Sequence, residues 1–395
     1  MSLALSRRSL IGSGLSVGLG AGLAGCTYPR PLSVPSLTSP QAYGFGDLKP
    51  LDLAIGNLTK ITVCTRPFRP AGPRLSAQTK GAKLLVHNYG HGGSGWSLAW
   101  GYAEKVRDLI AAKDARSVTV VGAGAMGLTS AIAAAETGAR VTIIAREMPM
   151  ETRSARATGV WSPSSRIGFG EAVDPGFAAF WEAMARRSYA RHLAYVGRAG
   201  HPVEFTPRFY VRTMAPFPSL VEEPEGAREF LGLGRRLRGL TPAWTEREGT
   251  PFPAPNGVRG GLVMTFNIAE YTRQLVEDFQ AMGGRFERRE LSSAEELSDL
   301  PGDAVVNCSG YGAKTLAQDE TLIPVRGQIA WMAPQTDRLY GVHHAGVTVL
   351  SRRDGLLIQE SGGTDYFGLG LEDETPDIAE FRTALAKVAP LFEWG

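Results

Sequence analysis

Ser117-Val118-Thr119-Val120-Val121-Gly122-Ala123-Gly124-Ala125-Met126-Gly127 is the stretch that decides the fold. Its first five residues read as a buried strand, and Leu128 to Thr137 reads as a helix closed by Gly138. Ala139 to Ile144 is the next strand, so the unit is strand, turn, helix, strand. A G-x-G-x-x-G spacing in that setting predicts a dinucleotide loop. Gly122 permits the tight turn, Gly124 lets a diphosphate approach the backbone and Gly127 lets the helix pack on the strand. The diphosphate is expected against the free amides of Ala123, Gly124 and Met126 at the helix start. Glu147, just past the second strand, is the candidate for the ribose hydroxyls, with Arg146 on the adenosine side; the alternative is that both are solvated loop charges. The loop by itself does not separate FAD from NAD.

Outward from this unit, the composition is that of a globular α/β enzyme: 395 residues, 43% hydrophobic and 21% charged, with 48 Gly and 25 Pro. The formal charge of +3 includes Arg7 and Arg8, and no basic stripe with interleaved aromatics occurs, which argues against nucleic acid as a partner. Arg235-Arg236-Leu237-Arg238, Glu222-Glu223-Pro224-Glu225 and Glu372-Asp373-Glu374 read as solvated charge, and no metal site is expected. Cys64 and Cys308 lie in strand-like stretches and read as buried thiols, with a disulfide as the alternative in an oxidising compartment. Residues 1–26 read as a targeting segment. Ser6-Arg7-Arg8-Ser9-Leu10-Ile11 resembles a twin-arginine export motif, and Leu23-Ala24-Gly25-Cys26 resembles a lipoprotein processing box. Together they imply export to an extracytoplasmic or periplasmic location with a lipid anchor at Cys26; the alternatives are a plain secretory signal or a membrane anchor that stays attached. Residues 27–60, rich in Pro, Ser and Gly, read as a tether and irregular lead-in.

A second glycine cluster precedes the dinucleotide loop. Lys83-Leu84-Leu85-Val86 is a strand delivering His87-Asn88-Tyr89-Gly90-His91-Gly92-Gly93-Ser94-Gly95-Trp96-Ser97, and residues 97–113 have helical spacing, with Leu98, Tyr102, Val106, Leu109 and Ile110 near one face. Ile268 to Met282 is a further helix, leading through Gly283-Gly284 into a strand at Arg285-Phe286-Glu287-Arg288. Another strand runs from Asp303 to Gly310.

The His87–Gly95 cluster, continuing to Trp100-Gly101-Tyr102-Ala103, strongly resembles the signature near the carboxyl end of the D-amino-acid oxidase family. Arg66-Pro67-Phe68-Arg69-Pro70 resembles the family segment carrying its substrate-carboxylate arginine. Thr158-Gly159-Val160-Trp161-Ser162-Pro163 resembles its flavin-contacting segment, and Val306 to Gly310 and Arg326 to Ile329 match two further patches. In that family the glycine loop comes first and the His-Asn-Tyr-Gly cluster last; here the order is reversed. The resemblance therefore implies a circular permutation, with 61–110 as the family's tail moved to the front, and it places the two ends, near Ile61 and Trp394, close together.

The fold class implied is α/β, a Rossmann-like FAD-binding domain with a second, mixed-sheet substrate domain. FAD-binding parts are expected at 61–165 and 268–319, and substrate-domain parts at 166–267 and 320–395. The cofactor set implied is FAD held by the Gly122–Gly127 loop, Arg146, Glu147, Ser154, Thr158, Gly159, Val160, Trp161, Leu291 and Gly310, and by Gly90, His91, Gly92, Gly93, Gly95, Trp96 and Ser97. Arg66 is implied as carboxylate clamp, with Arg69 as a rival, and the Gly93 carbonyl as acceptor for the substrate amino group. Ser97 is implied as a donor to the flavin pyrimidine edge, and His87 and His91 as loop-ordering groups. The family's paired tyrosines are missing: one falls near His343 or His344, the other near Val347 or Thr348. His343 and His344 therefore stand either as contacts to a polar or acidic substrate side chain or as local structure. The activity implied is oxidation of an amino acid, D-configured, glycine or secondary, with O2 or another acceptor taking the electrons. An NAD-dependent enzyme and a non-catalytic flavin-binding lipoprotein are the alternatives.

Overall fold

The computed structural model describes residues 48–213, 220–221 and 223–394; the export motif, Cys26 and the tether up to residue 47 lie outside them. The chain order is β1 (Leu58–Phe68), β2 (Arg74–Lys80), β3 (Lys83–Tyr89), α1 (Gly95–Lys113), β4 (Ser117–Val121), α2 (Ala125–Ala135) and β5 (Arg140–Ala145). Then come α3 (Phe177–Leu193), β6 (Val203–Val211), β7 (Thr245–Arg247), β8 (Val258–Phe266), α4 (Ile268–Ala281), β9 (Arg285–Arg288), α5 (Ala294–Asp299) and β10 (Ala304–Asn307). The last are α6 (Ala313–Leu316), β11 (Ile323–Met332), β12 (Gly341–His344), β13 (Val347–Arg352), β14 (Gly355–Glu360) and α7 (Ile378–Val388).

Two sheets organise these elements. The first has the order β2-β3-β10-β4-β5-β9, parallel except for the β2–β3 pair. Its centre, β10 and β4, is apolar and buried because helices cover both faces. α1 buries Leu98, Tyr102, Val106 and Ile110, the face its spacing predicts, and shares one core with α2. The second sheet has the order β1-β11-β14-β13-β12-β6-β8-β7 and is mixed, β12 running parallel to β6. On one face Phe209, Val342, Val349 and Ile358 pack with Phe381, Ala384 and Val388 of α7. By strand alternation the other face carries Arg208, His343, Thr348 and Gln359. Residues 61–68 belong to this second sheet, because β1 pairs along its length with β11; the cofactor sheet begins at β2. Leu51, Leu53, Phe392 and Trp394 share one apolar cluster, so the two ends of the described chain are neighbours.

The stretch from Tyr340 to Leu350 is a hairpin rather than one alternating strand. β12 and β13 pair as His344↔Val347, joined by Ala345 and Gly346, both with positive φ, the two-residue turn whose twist suits a hairpin. Cys64 and Cys308 are free and buried, and burial pushes the Cys308 thiol up to about 12. Among the described residues no helix is long and apolar enough to cross a membrane.

A buried polar relay fixes α3 and α4 against α1. Trp100 Nε1 donates to the Tyr271 hydroxyl (2.8 Å), which lies 2.8 Å from His192 Nδ1; His192 Nε2 is 3.0 Å from the Trp96 carbonyl. The relay closes if Tyr271 donates to Nδ1 and the neutral ring donates from Nε2. Burial pushes His192 down to about 3 from 6.5. Between those values the unfolded chain binds the proton and the folded one does not, so stability falls as pH drops through that window, by about 1.4 kcal/mol per pH unit for each such histidine. Urea midpoints of the wild type should decline from pH 6.5 to 5, and His192→Gln should flatten the slope by one proton's worth; an unchanged slope contradicts the neutral relay.

Candidate active site

A cavity of about 690 Å³ opens between the two sheets, of a size that suits a small-molecule cofactor. At one end lies the β4–α2 turn. Gly122 has φ of +101°, and a Cβ there would sit 2.5 Å from the Cys308 carbonyl oxygen. A Cβ on Gly127 would run into the Gly122 carbonyl. Gly124 is the N-cap of α2 with no side-chain cap, and the Ala125 amide donates to Ser154 Oγ at 3.1 Å. Gly122, Ala123, Gly124 and Met126 line the cavity, while Gly127 lies just behind them. At the end of β5, Arg146 bridges Glu290 (3.2 Å) and Glu147 (3.4 Å), and all three line the wall beside Leu291.

The other wall is the turn after β3. The Gly92 amide donates to the Pro67 carbonyl at 2.8 Å, and the Gly93 amide to the Ser165 carbonyl at 3.1 Å. Gly90 and Gly92 have positive φ, and any Cβ on Gly92 would collide with the Arg166 carbonyl oxygen, so the close approach requires glycine. Trp96 Nε1 donates to the Ser154 carbonyl (2.9 Å), and Ser97 Oγ accepts from the Ser162 amide (2.8 Å), which leaves the Ser97 proton free to donate. Gly90, His91, Gly92, Gly93, Gly95, Trp96 and Ser97 all line the cavity, as do Ser154, Thr158, Gly159, Val160 and Gly310. Trp161 does not; its ring packs on Tyr189 and its amide donates to the Met264 carbonyl.

The His91 ring makes no hydrogen bond among the described residues, although its carbonyl accepts from the Ser94 amide at 2.9 Å. Both ring nitrogens are buried and unpartnered, its ring meets Tyr102 edge-on at 4.4 Å, and burial pushes it down to about 3. Asn88 Oδ1 is buried and unpartnered too. Buried polar atoms without partners are costly, and these two residues both face the cavity, so they fit a polar cofactor that supplies the missing bonds. His87 stands behind the wall, 3.3 Å from Asn307 Nδ2.

Arg66, on β1, lines the cavity with its guanidinium over Gly327, where a Cβ would lie 2.6 Å from Cζ; it has no hydrogen-bond or acidic partner among the described residues. Arg69, the rival, is tied to Asp319 (3.1 Å) and the Gly72 carbonyl and does not line the cavity. His343 and His344 do not line it either. His343 bonds Thr348 Oγ1 (3.1 Å) and stacks on Tyr210; alternation turns His344 to the α7 face, where it meets the Val211 carbonyl (3.0 Å). Of the two readings left open for them, this arrangement fits local structure: Thr348 on β13, across from His343, and Gln359 on β14 reach the cavity in their place.

Sequence reading missed three further parts of the wall. Ser165 and Arg166 belong to a loop without periodicity, Arg208 to a strand whose neighbours are remote in sequence, and Thr348 and Gln359 to the paired strands β13 and β14. Arg166 is held by the Asp365 carbonyl at 2.7 Å; burial and then the charge of Arg66 push it down to about 10, with Asp365 opposing. Arg352, fully buried, donates to the carbonyls of Ala157, Thr158 and Phe266 and so holds the segment around Gly159 against the cavity.

The family model described as DAO, FAD dependent oxidoreductase, matches residues 117–393. A D-amino-acid oxidase of Rubrobacter xylanophilus is 34% identical over 280 residues, covering 67% of this chain and 74% of that protein. A D-amino-acid oxidase of Dictyostelium discoideum is 28% identical over 227 residues, 56% of this chain and 58% of the relative. In fold, a glycine oxidase from Geobacillus kaustophilus superposes with a TM-score of 0.50 at 18% identity, over 70% of this chain and 78% of that one. The cofactor is thus FAD, which the turn at Gly124, the Ser154 hydroxyl and the open groups of His91 and Asn88 are placed to hold. Gly124→Val puts a branched side chain where Cβ alone would be 2.8 Å from Ser154 Oγ. It should weaken FAD retention by about 10- to 100-fold, read as flavin per protein after dialysis, and full retention contradicts the placement of the diphosphate. With most of its length matched by the family model, the chain belongs to the DAO family of FAD-dependent oxidoreductases.

Proposed function

We propose that this flavoprotein oxidises an amino acid, D-configured by preference, at its Cα–N bond. The observation that carries the reading is Arg66: a guanidinium in the cavity wall with no partner of its own, one residue before the Pro67 carbonyl that holds Gly92. A planar fork of donors takes a carboxylate through two parallel bonds, which fixes the substrate's tilt as well as its position. Gly93, bare of a side chain and held by Ser165, offers its carbonyl to the substrate amino group. Carboxylate and amine anchored together leave Cα–H in one orientation, which is what a hydride transfer needs. FAD, when bound, would supply a hydride acceptor that oxygen can reoxidise, giving peroxide. The substrate loses hydride from Cα and a proton from nitrogen, and the imino acid takes up water to give the 2-oxo acid and ammonia. No strong base is needed. The only carboxylates in the described wall, Glu147 and Glu290, stand at the end of β5, and His91 is neutral by burial.

The reversed order of the two glycine clusters supports a circular permutation: the family match starts at β4, and the elements before it, β1 to α1, carry the clamp and the His-Asn-Tyr-Gly turn. The motifs at Arg7-Arg8 and Cys26 support export with lipid attachment, and an exported protein would release peroxide away from the cytoplasm. Fractionation should find the protein in the membrane fraction, facing outward; Cys26→Ser should release it, and Arg7→Lys with Arg8→Lys should hold it in the cytoplasm. A soluble cytoplasmic wild type contradicts this.

For the clamp, Arg66→Met should leave the flavin spectrum intact and raise KM for the amino acid by about 100-fold or more, with Arg66→Lys recovering part of the loss. An unchanged KM in the folded, flavin-loaded Met variant removes Arg66 from the site.

A further inference from the structure

Arg66 is not the only unpartnered guanidinium in the cavity wall. Arg208 is 7% exposed, lines the cavity, and its Nε and Nη1 have no hydrogen-bond partner. No acidic side chain pairs with it among the described residues. Burial alone pushes it down to about 10, so it stays charged at neutral pH. A buried cation without a counter-ion is among the more destabilising things a fold retains, which points to a role outside the fold's own stability.

The surrounding sheet is shaped to seat this one side chain. Arg208 pairs with Gly341 on β12 and with Gly261 on β8, so a glycine stands on either side of it. A Cβ on Gly341 would lie 2.6 Å from both Cδ and Nε of Arg208: the bare glycine is the groove in which the side chain lies. The groove points along the face that carries Thr348 and Gln359, both in the cavity wall. The other cavity arginines near this end have internal partners: Arg166 has the Asp365 carbonyl, and Arg153 has Glu374 at 2.7 Å. Two guanidinium groups are left open, Arg66 on β1 and Arg208 on β6, and an α-carboxylate answers only one of them.

We propose that Arg208 is a specificity-determining residue that binds an anionic group at the end of the substrate's side chain, so that the substrates are acidic, dicarboxylic amino acids. This rests on the reading of the cavity as an amino-acid site. Arg66 takes the α-carboxylate and Arg208 the distal one, and the distance between them selects the chain length. His343, tied to Thr348 Oγ1, does not line the cavity and serves the wall, not the ligand.

The test uses the flavin-loaded protein and pairs of non-oxidisable ligands that differ only in one end: succinate against butyrate, glutarate against valerate, adipate against hexanoate. Each is titrated while the flavin difference spectrum is followed. In the wild type at least one dicarboxylate should bind about 100-fold more tightly than its monocarboxylate partner. Arg208→Met should abolish that ratio and leave monocarboxylate binding within a few-fold; Arg208→Lys should keep part of it. Turnover should follow, with KM for D-aspartate or D-glutamate raised in Arg208→Met and KM for D-alanine little changed. Arg208→Met should also melt at a higher temperature, since an unpaired buried charge is removed. If Arg208→Met fails to fold, the wild-type ratio and the Lys variant still decide. Equal binding of both members of every pair in the wild type overturns the inference, even where neutral D-amino acids bleach the flavin and the amino-acid reading stands. Loss of flavin in Arg208→Met, without loss of the ratio, assigns Arg208 to the cofactor and overturns it too. If no carboxylate perturbs the spectrum and no amino acid bleaches it, the amino-acid reading falls and takes this inference with it.

Discussion

The Gly92 amide donates to the Pro67 carbonyl at 2.8 Å, and at that bond the end of one sheet's strand meets the turn of the other. β1 belongs to the eight-stranded sheet and β3 to the six-stranded one, so the bond sets how a substrate wall stands against a cofactor wall. It forms only because Gly92 has positive φ and no Cβ to strike the Arg166 carbonyl. Arg66 lies one residue from it along β1, Gly93 one residue along the turn, and Ser165 and Arg166 close it from the third side. A clamp, an amine acceptor and a wall are therefore positioned by one backbone contact. Short, backbone-held geometry of this kind has little freedom to drift, which suits a reaction whose rate depends on orientation more than on acid or base strength.

Electrostatics divide the same cavity in two. Where β5 ends, Arg146 sits between Glu147 and Glu290, a net acidic cluster suited to hydroxyl groups. Away from that end no carboxylate lines the described wall, which carries Arg66, with Arg166 near enough to feel its charge, and the buried Arg208 on a separate strand. Such an arrangement draws in anions and holds them strongly. It also costs stability in the empty protein, a conflict between fold and function that active sites commonly show. The neutral, buried His91 and the open Asn88 oxygen carry the same signature on a smaller scale: polar atoms left for something else to satisfy.

The parts legible in the sequence were those whose meaning is local. Ser117 to Ile144 announces its strand, turn and helix within thirty residues, and the buried face of α1 follows from spacing alone. The cluster after β3 is legible through its resemblance to the family's His-Asn-Tyr-Gly signature. What escaped depends on pairing between remote segments. Arg208 reads as one more charge in a strand until Gly261 and Gly341 are placed on either side of it. His343 and His344 stay ambiguous in the sequence because Ala345, a non-glycine residue at positive φ, hides the turn that makes this stretch a hairpin. β1 was assigned to the cofactor part because the tail it resembles ends there, and its pairing with β11 shows in no short-range pattern.

The central claim is that an amino acid, gripped by Arg66 and Gly93, gives up its Cα hydrogen to the flavin as hydride with no protein base involved. It is tested most directly by mixing the flavin-loaded protein, without oxygen, with a D-amino acid carrying either hydrogen or deuterium at Cα, across pH. The account predicts bleaching of the flavin bands by the D- but not the L-enantiomer. It also predicts a slower rate with deuterium and a limiting rate that does not demand an ionised carboxylate or imidazole. A flavin that stays oxidised with every amino acid, or bleaching whose rate ignores deuterium at Cα while chemistry is limiting, would contradict it.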